Sequence, residues 1–182
     1  MPYVKPLSLT LTAILALSAC SSQDTASDSP MTIEQPILST IGNQLGTVTL
    51  RDLGADGTEV KVTVTGISEG SHAMHFHETG KCEGPDYASA GGHYNPTNAA
   101  HGTKMANGPH AGDMMNIDVM GDLTGQMTVI NERVSINGDH GLPPLLDGDG
   151  TALIIHEKAD DYESQPSGAA GARIGCAVIS AN

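Results

Sequence analysis

The stretch LGTVTLRDLGADGTEVKVTVTG, residues 45–66, constrains the fold more than any other part of the chain. Apolar residues recur at every second position, Val48 and Leu50 in its first half and Val60, Val62 and Val64 in its second. A period of two puts such side chains on one face of an extended strand. Between the halves, GADG supplies the chemistry of a hairpin turn. Similar short runs recur at 114–120, 125–130, 133–136, 151–157 and 175–180, and a strand over His75 and His77 follows the hairpin. No long stretch has helical periodicity and no internal repeat is visible. About eight short strands joined by Gly and Pro turns predict an all-β antiparallel sandwich or flattened barrel. With 22 glycines, one Phe and no Trp among 182 residues, this is one loop-rich domain, long enough to bury a real core.

The N-terminus follows a different rule. After Lys5, the apolar run Leu7 to Leu17 has the size of a secretory h-region and is short for a membrane span. It ends in LSAC, residues 17–20, which resembles a bacterial lipobox, with cleavage before Cys20 and lipid attached to it; plain secretion with cleavage near Ala19 is the alternative. The expected organisation is a signal over 1–19, the lipidated Cys20 with a flexible tether over 20–36, and the folded domain over 37–182. The tether SSQDTASDSP is small and polar throughout. With Cys20 assigned to the anchor, Cys82 and Cys176 remain to form a disulfide in an oxidising compartment. The formal charge is −13, and loss of Lys5 with the signal makes it −14. Such an acidic chain is a poor partner for nucleic acid or an anionic membrane surface.

Histidine is the unusual component. In HAMHFHETGKC, residues 72–82, His75 and His77 lie two apart and share a strand face, while Phe76 points into a core behind. From Gly80 to Asp113 the chain has little periodicity and many turn formers; a loop that long is uncommon in a compact domain unless functional or tied down. It carries His93, His101, His110 and Asp113, and three imidazoles with one carboxylate make a tetrahedral zinc set. ALIIHEK adds His156 on a strand. Any one of these histidines would ordinarily be a locally hydrogen-bonded side chain. Six of them with an aspartate, concentrated this way, point to metal.

GSHAMHFHETGKC, GGHYNP, the spacing onward through His101, His110 and Asp113, HEKADD and GARIGCAVI together resemble copper/zinc superoxide dismutase of the bacterial periplasmic kind, across essentially all of residues 40–180. The resemblance implies a Greek-key β-sandwich or flattened barrel with long metal-binding loops, and disproportionation of superoxide to O2 and H2O2. It implies copper held by His75, His77, His93 and His156, and zinc by His93, His101, His110 and Asp113, with His93 as the bridge. Asp160 would accept hydrogen bonds from a histidine of each metal, Arg173 would dock the anion, and Cys82 and Cys176 would be the disulfide. On reduction the bridge to His93 would break and its nitrogen take a proton for the second half-reaction. His72 and His140 match positions that bind no metal; His72, an odd number of residues from His75 and His77, should face away and bond backbone groups. A periplasmic location, lipid-anchored through Cys20, follows from the same reading, and Ser21 suggests the outer membrane. The implied assembly is a monomer or a homodimer.

Two departures stand out. Cys82 sits two residues after Gly80, a bacterial arrangement, and YESQPSGAAG lacks the lysine-bearing cluster that guides substrate in eukaryotic members. Lys81, Lys104 and Lys158 are the candidate replacements, although each is more ordinarily a solvated surface charge. Two rival functions remain. Met105, Met114, Met115 and Met120 would suit a non-catalytic copper-binding or delivery protein, because thioethers favour Cu(I); Met115, however, fits the inward face of a strand. A zinc hydrolase would need an open coordination position, which a set of three histidines and Asp113 does not leave.

Overall fold

The computed structural model describes residues 1–3 and 30–180. The expected signal segment and Cys20 fall outside the described residues. Nine strands follow in chain order: β1 Thr32–Ser39, β2 Gln44–Asp52, β3 Thr58–Thr65, β4 Gly70–His72, β5 Met74–His77, β6 Ile117–Val119, β7 Thr124–Asn131, β8 Thr151–His156 and β9 Arg173–Ile179. All pair antiparallel in one sheet of order β4-β6-β7-β3-β2-β1-β9-β8-β5. The two ends of that order, β4 and β5, are consecutive in the chain and separated by Ala73 alone. The sheet therefore curls until its edges meet, giving a nearly closed Greek-key barrel. Ala73 completes the seam, donating its N–H to Lys158 and accepting from the His156 N–H, both at 2.9 Å.

The hairpin expected at 45–66 forms with Asp52 opposite Thr58, and Gly54 and Gly57 take positive φ in its turn. Its alternation sorts the faces as expected: Val48, Leu50, Val60 and Val62 are fully buried with Phe76, Leu153 and Ile155 in the main core. A smaller cluster of Tyr87, Ala90, Ala152, Ile154 and Cys176 lies on the outer face of β8 and β9, under the long loop.

Three segments differ from the sequence expectation. The first strand begins at Thr32, inside the stretch expected to be tether, because β2 pairs with it from Arg51 to Gln44. Pro36 is accommodated there because β9 meets β1 only at Leu38 and Ser39. Residues 133–136 bury Val134 and Ile136 but join no sheet ladder; their backbone pairs with 143–146 instead, through Ser135 N–H to Pro143 and Leu145 N–H to Ser135. Within 114–120 only Ile117–Val119 is strand, and Met115 is 49% exposed, not inward. The Tyr162 hydroxyl takes up the Asn116 N–H at 2.9 Å, and the chain joins the sheet only at Ile117.

Candidate metal centre

Strand alternation builds the first half of the centre. On β5, Met74 and Phe76 point into the barrel, so His75 and His77 stand on its outer face. On β8, Leu153 and Ile155 point in, so Ile154 and His156 point out. β5 and β8 are neighbours, with His75 opposite Ile154. The second half comes from the long loop, which the backbone of Phe76 captures. The Phe76 N–H donates to Gly112 and its carbonyl accepts from Tyr94, at 2.9 and 2.8 Å, and the Gly112 N–H closes the triangle on Tyr94. A Cβ at Gly112 would stand 2.4 Å from the Phe76 oxygen, so only glycine allows this approach. His93 and Asp113 consequently bridge to His77 and His75. Farther along, the disulfide Cys82–Cys176 ties the loop to β9, with Cα atoms 5.8 Å apart.

Two overlapping clusters result. Ligand atoms of His75, His77, His93 and His156 lie within 4.8 Å of one another, and so do those of His75, His93, His101 and Asp113. His110 joins the second group, its Nδ1 3.2 Å from Asp113 Oδ1 and 3.4 Å from His93 Nδ1. Asp113 receives His93 Nδ1 at 3.0 Å and lies 3.1 Å from His101 Nδ1. Every histidine and the aspartate expected as ligands from the sequence are thus brought together. His72 is not among them. Its ring sits between the carbonyls of Ser68 and His156, at 2.9 and 2.8 Å, as expected for a residue on the other face.

Hydrogen bonds fix which nitrogen of each ring is free. His75 Nε2 donates to Asp160 Oδ2 at 2.9 Å, His77 Nδ1 to the Gly91 carbonyl at 3.0 Å, and His156 Nδ1 lies 3.4 Å from the Gly171 carbonyl. The opposite nitrogens, His75 Nδ1, His77 Nε2 and His156 Nε2, together with His93 Nε2, are buried with no hydrogen-bond partner. Four unpaired buried lone pairs in one place are costly, by about 1–3 kcal/mol each, unless an electrophile satisfies them. A copper ion fits that donor set. Burial also keeps the rings neutral and ready to ligate, pushing His75 down to about 4, His77 to about 2 and His156 to about 3.

The second cluster has the opposite electrostatics. Burial opposes the charged form of His101, but hydrogen bonds to Asp113 and Asp160 outweigh it and push the imidazole up to about 9. Burial likewise opposes ionisation of the two carboxylates. His101 and His93 nonetheless hold Asp113, and His101 and His75 hold Asp160, well below the usual carboxylate range. Ionised carboxylate among imidazoles suits a borderline dication such as zinc, which takes both nitrogen and oxygen ligands. Asp160 links the halves, its Oδ1 3.0 Å from His101 Nε2 and its Oδ2 on His75. Gly168 lies against that link: a Cβ there would meet Asp160 Oδ1 at 1.8 Å.

A cleft of about 320 Å³ opens over His77, His93 and His156, and Arg173 is the cation that lines it. Arg173 Nη1 and Nη2 donate to the carbonyls of Tyr87 and Gly91, both at 2.6 Å, which fixes the guanidinium. Tyr87 holds its carbonyl there in a left-handed conformation, φ 56°, with its hydroxyl bonded to the Leu38 carbonyl at 2.7 Å. The sequence reading missed Tyr87; nothing local distinguishes it from any loop tyrosine. None of Lys81, Lys104 and Lys158 lines the cleft. All three are exposed, and Lys104 is bonded to the Asp161 carbonyl at 2.7 Å.

The family model for copper/zinc superoxide dismutase matches residues 44–179. Superoxide dismutase (Cu-Zn) of Caulobacter vibrioides is 37% identical over 139 residues, 76% of this chain and 79% of its own. Superoxide dismutase (Cu-Zn) 2 of Aquifex aeolicus is 36% identical over 168 residues, 92% of this chain and 94% of its own. Among solved structures, a SOD-like protein from Bacillus subtilis superposes with a TM-score of 0.76 at 34% identity, covering 80% of this chain and 97% of that one. Cu/Zn superoxide dismutase from Brucella abortus gives 0.65 at 26% identity, covering 82% and 99%.

Proposed function

Because this chain belongs to the copper/zinc superoxide dismutase family, we propose that its two histidine clusters are a copper and a zinc site sharing His93, at which superoxide is disproportionated. The activity, superoxide dismutase, and the two metals are those of the family. His75 through Nδ1 and His77, His93 and His156 through Nε2 would hold copper; His93, His101 and His110 through Nδ1, with Asp113, would hold zinc. When bound, copper supplies one-electron exchange between its two oxidation states and zinc, which is redox-silent, supplies fixed charge and shape. The observation that carries this reading is the convergence of four buried, unpartnered imidazole nitrogens.

The remaining chemistry belongs to the chain's own side chains. Two superoxide anions and two protons give O2 and H2O2, so the site must attract an anion and deliver protons. Arg173 supplies a positive charge pinned by two carbonyls before the substrate arrives, which costs no reorganisation on binding. That local charge works against the repulsion of a chain at −13. His93 Nε2, on the wall of the same cleft, is the atom placed to hold a proton for the peroxide product. Its Nδ1, held toward Asp113, stops the ring from turning away.

Metal content measured with dismutating activity tests this reading, on protein beginning after Cys20 and loaded with both metals. One copper and one zinc per chain with fast, cyanide-sensitive turnover is the expected result. Stoichiometric copper without turnover would favour the second reading, a non-catalytic copper protein on the same fold; similarity to a Bacillus subtilis protein named only as superoxide dismutase-like keeps it in view. We further place the protein in the periplasm, anchored by lipid on Cys20 to the outer membrane, in defence against superoxide. The support is the LSAC pattern and Ser21. Cys20→Ala should release the protein from the membrane fraction, and unchanged membrane association would refute the anchor.

A further inference from the structure

We propose that Arg133, with Asn131 beside it, is a positioning residue for the zinc half of the centre, setting the geometry of His110 and Asp113 by holding their backbone carbonyls. The inference rests on those two residues being zinc ligands.

Each carbonyl from His110 to Asp113 has a partner from outside the segment. Arg133 Nη2 donates to Asp113 at 2.6 Å and Arg133 Nε to His110 at 3.3 Å. Asn131 Nδ2 donates to Ala111 at 2.8 Å, and the Phe76 N–H takes Gly112. Three of the four bonds therefore come from two side chains at one strand end. That end is firm: Asn131 is buried, pairs with Thr58 in the β3–β7 ladder, and accepts the Arg133 N–H at 3.0 Å on its own amide oxygen. From the opposite side, the Asp113 carboxylate accepts the N–H groups of His110 and Gly102 at 3.0 and 2.9 Å. The ligand turn is thus clamped through carbonyls by the barrel and through its carboxylate by the loop.

The residue type fits the task. Two carbonyls three residues apart must be reached from one side chain, and a planar guanidinium offers donors on separate nitrogens in a fixed fork. A lysine ammonium is a single point and cannot hold both in the same way. Charge alone would act in the opposite direction, because a cation close to the site repels a second cation. The sign of a charge-removing substitution therefore separates the two roles.

The test compares the wild type with Arg133→Met and Arg133→Lys. The readouts are zinc affinity by chelator competition, the visible spectrum of cobalt(II) placed in the zinc site, copper affinity, and the melting point of the metal-free protein. Positioning predicts zinc affinity about 10–100-fold weaker for Arg133→Met, less for Arg133→Lys, with an altered cobalt spectrum and unchanged copper affinity. Tighter zinc in Arg133→Met would overturn the proposal in favour of a charge effect. A lowered melting point with unchanged zinc affinity and cobalt spectrum would overturn it in favour of a merely structural role. Should Arg133→Met not fold, Arg133→Lys keeps the charge and the aliphatic stem, and an unchanged zinc affinity there overturns the proposal equally. A wild type that takes up no zinc or cobalt would overturn the site assignment and this inference with it.

Discussion

Replacing Asp160 with Asn changes almost no volume, yet it should weaken zinc binding by one to two orders of magnitude. The carboxylate offers one oxygen to His101 Nε2 and the other to His75 Nε2, at 3.0 and 2.9 Å, in a site where Asp160 is 3% exposed. A carboxamide has only one acceptor, so its NH2 group must face one imidazole N–H. The two histidines do not resist equally. His75 is part of β5, paired to Ile154 and bridged to Asp113, whereas His101 sits in the loop with its ring held by Asp113 and Asp160. The loop side should yield, by turning the ring or by moving its proton to Nδ1, the atom that faces Asp113. Losing one charge-assisted bond on a buried group amounts to about 1.5–3 kcal/mol, equivalent to about 10–150-fold in affinity. Chelator competition on the purified variant, zinc and copper measured separately, reads this directly. Unchanged zinc affinity, or a copper loss larger than the zinc loss, would refute the reasoning.

Three further outcomes follow from the same geometry. His156→Ala removes one of four converging nitrogens and should largely abolish dismutation while zinc stays bound; full activity would sink the copper assignment. Cys82→Ser opens a crosslink spanning 94 residues, which the chain-entropy model values at about 4–5 kcal/mol, so the oxidised protein's melting point should fall markedly, and an unchanged midpoint would contradict this. In the metal-free protein, His101 binds its proton more tightly folded, at about 9, than unfolded, so its stabilisation is full below about pH 6.5 and fades as pH rises toward 9. His75, His77 and His156 are depressed to about 4, 2 and 3, so the unfolded chain protonates first and stability falls as pH drops below about 6.5. Melting points of the metal-free protein should therefore peak near pH 6.5, and a profile flat from 5 to 9 would rule the scheme out.

What could be read in the sequence was whatever has a local period or a chemical concentration. Alternation is set by the pleat of one strand, so the faces of β2 and β3, and the outward pair His75 and His77 around an inward Phe76, were legible before any partner was known. The gathering of His93, His101, His110 and Asp113 was legible because imidazole is scarce and these residues share one turn-rich loop. Local pattern failed where pairing partners decided the outcome. β1 reached into the presumed tether because β2 offered it an edge, and 133–136 lost its strand because 143–146 took its backbone groups.

The tertiary structure alone decided how the pieces meet. Closure of the barrel at Ala73, capture of the loop by the Phe76 backbone, the clamp from Asn131 and Arg133, and the carbonyls of Tyr87 and Gly91 on Arg173 all join residues far apart in the chain. None of these residue types signals its role, because a backbone carbonyl acquires a partner only when the fold delivers one. Partners likewise distant in the chain, Asp160 for His75, the Gly91 carbonyl for His77 and the Gly171 carbonyl for His156, choose which nitrogen of those imidazoles is left free. The sequence thus determined that several metal-binding side chains would be present and on which strand faces; the folded contacts determined which of their atoms converge.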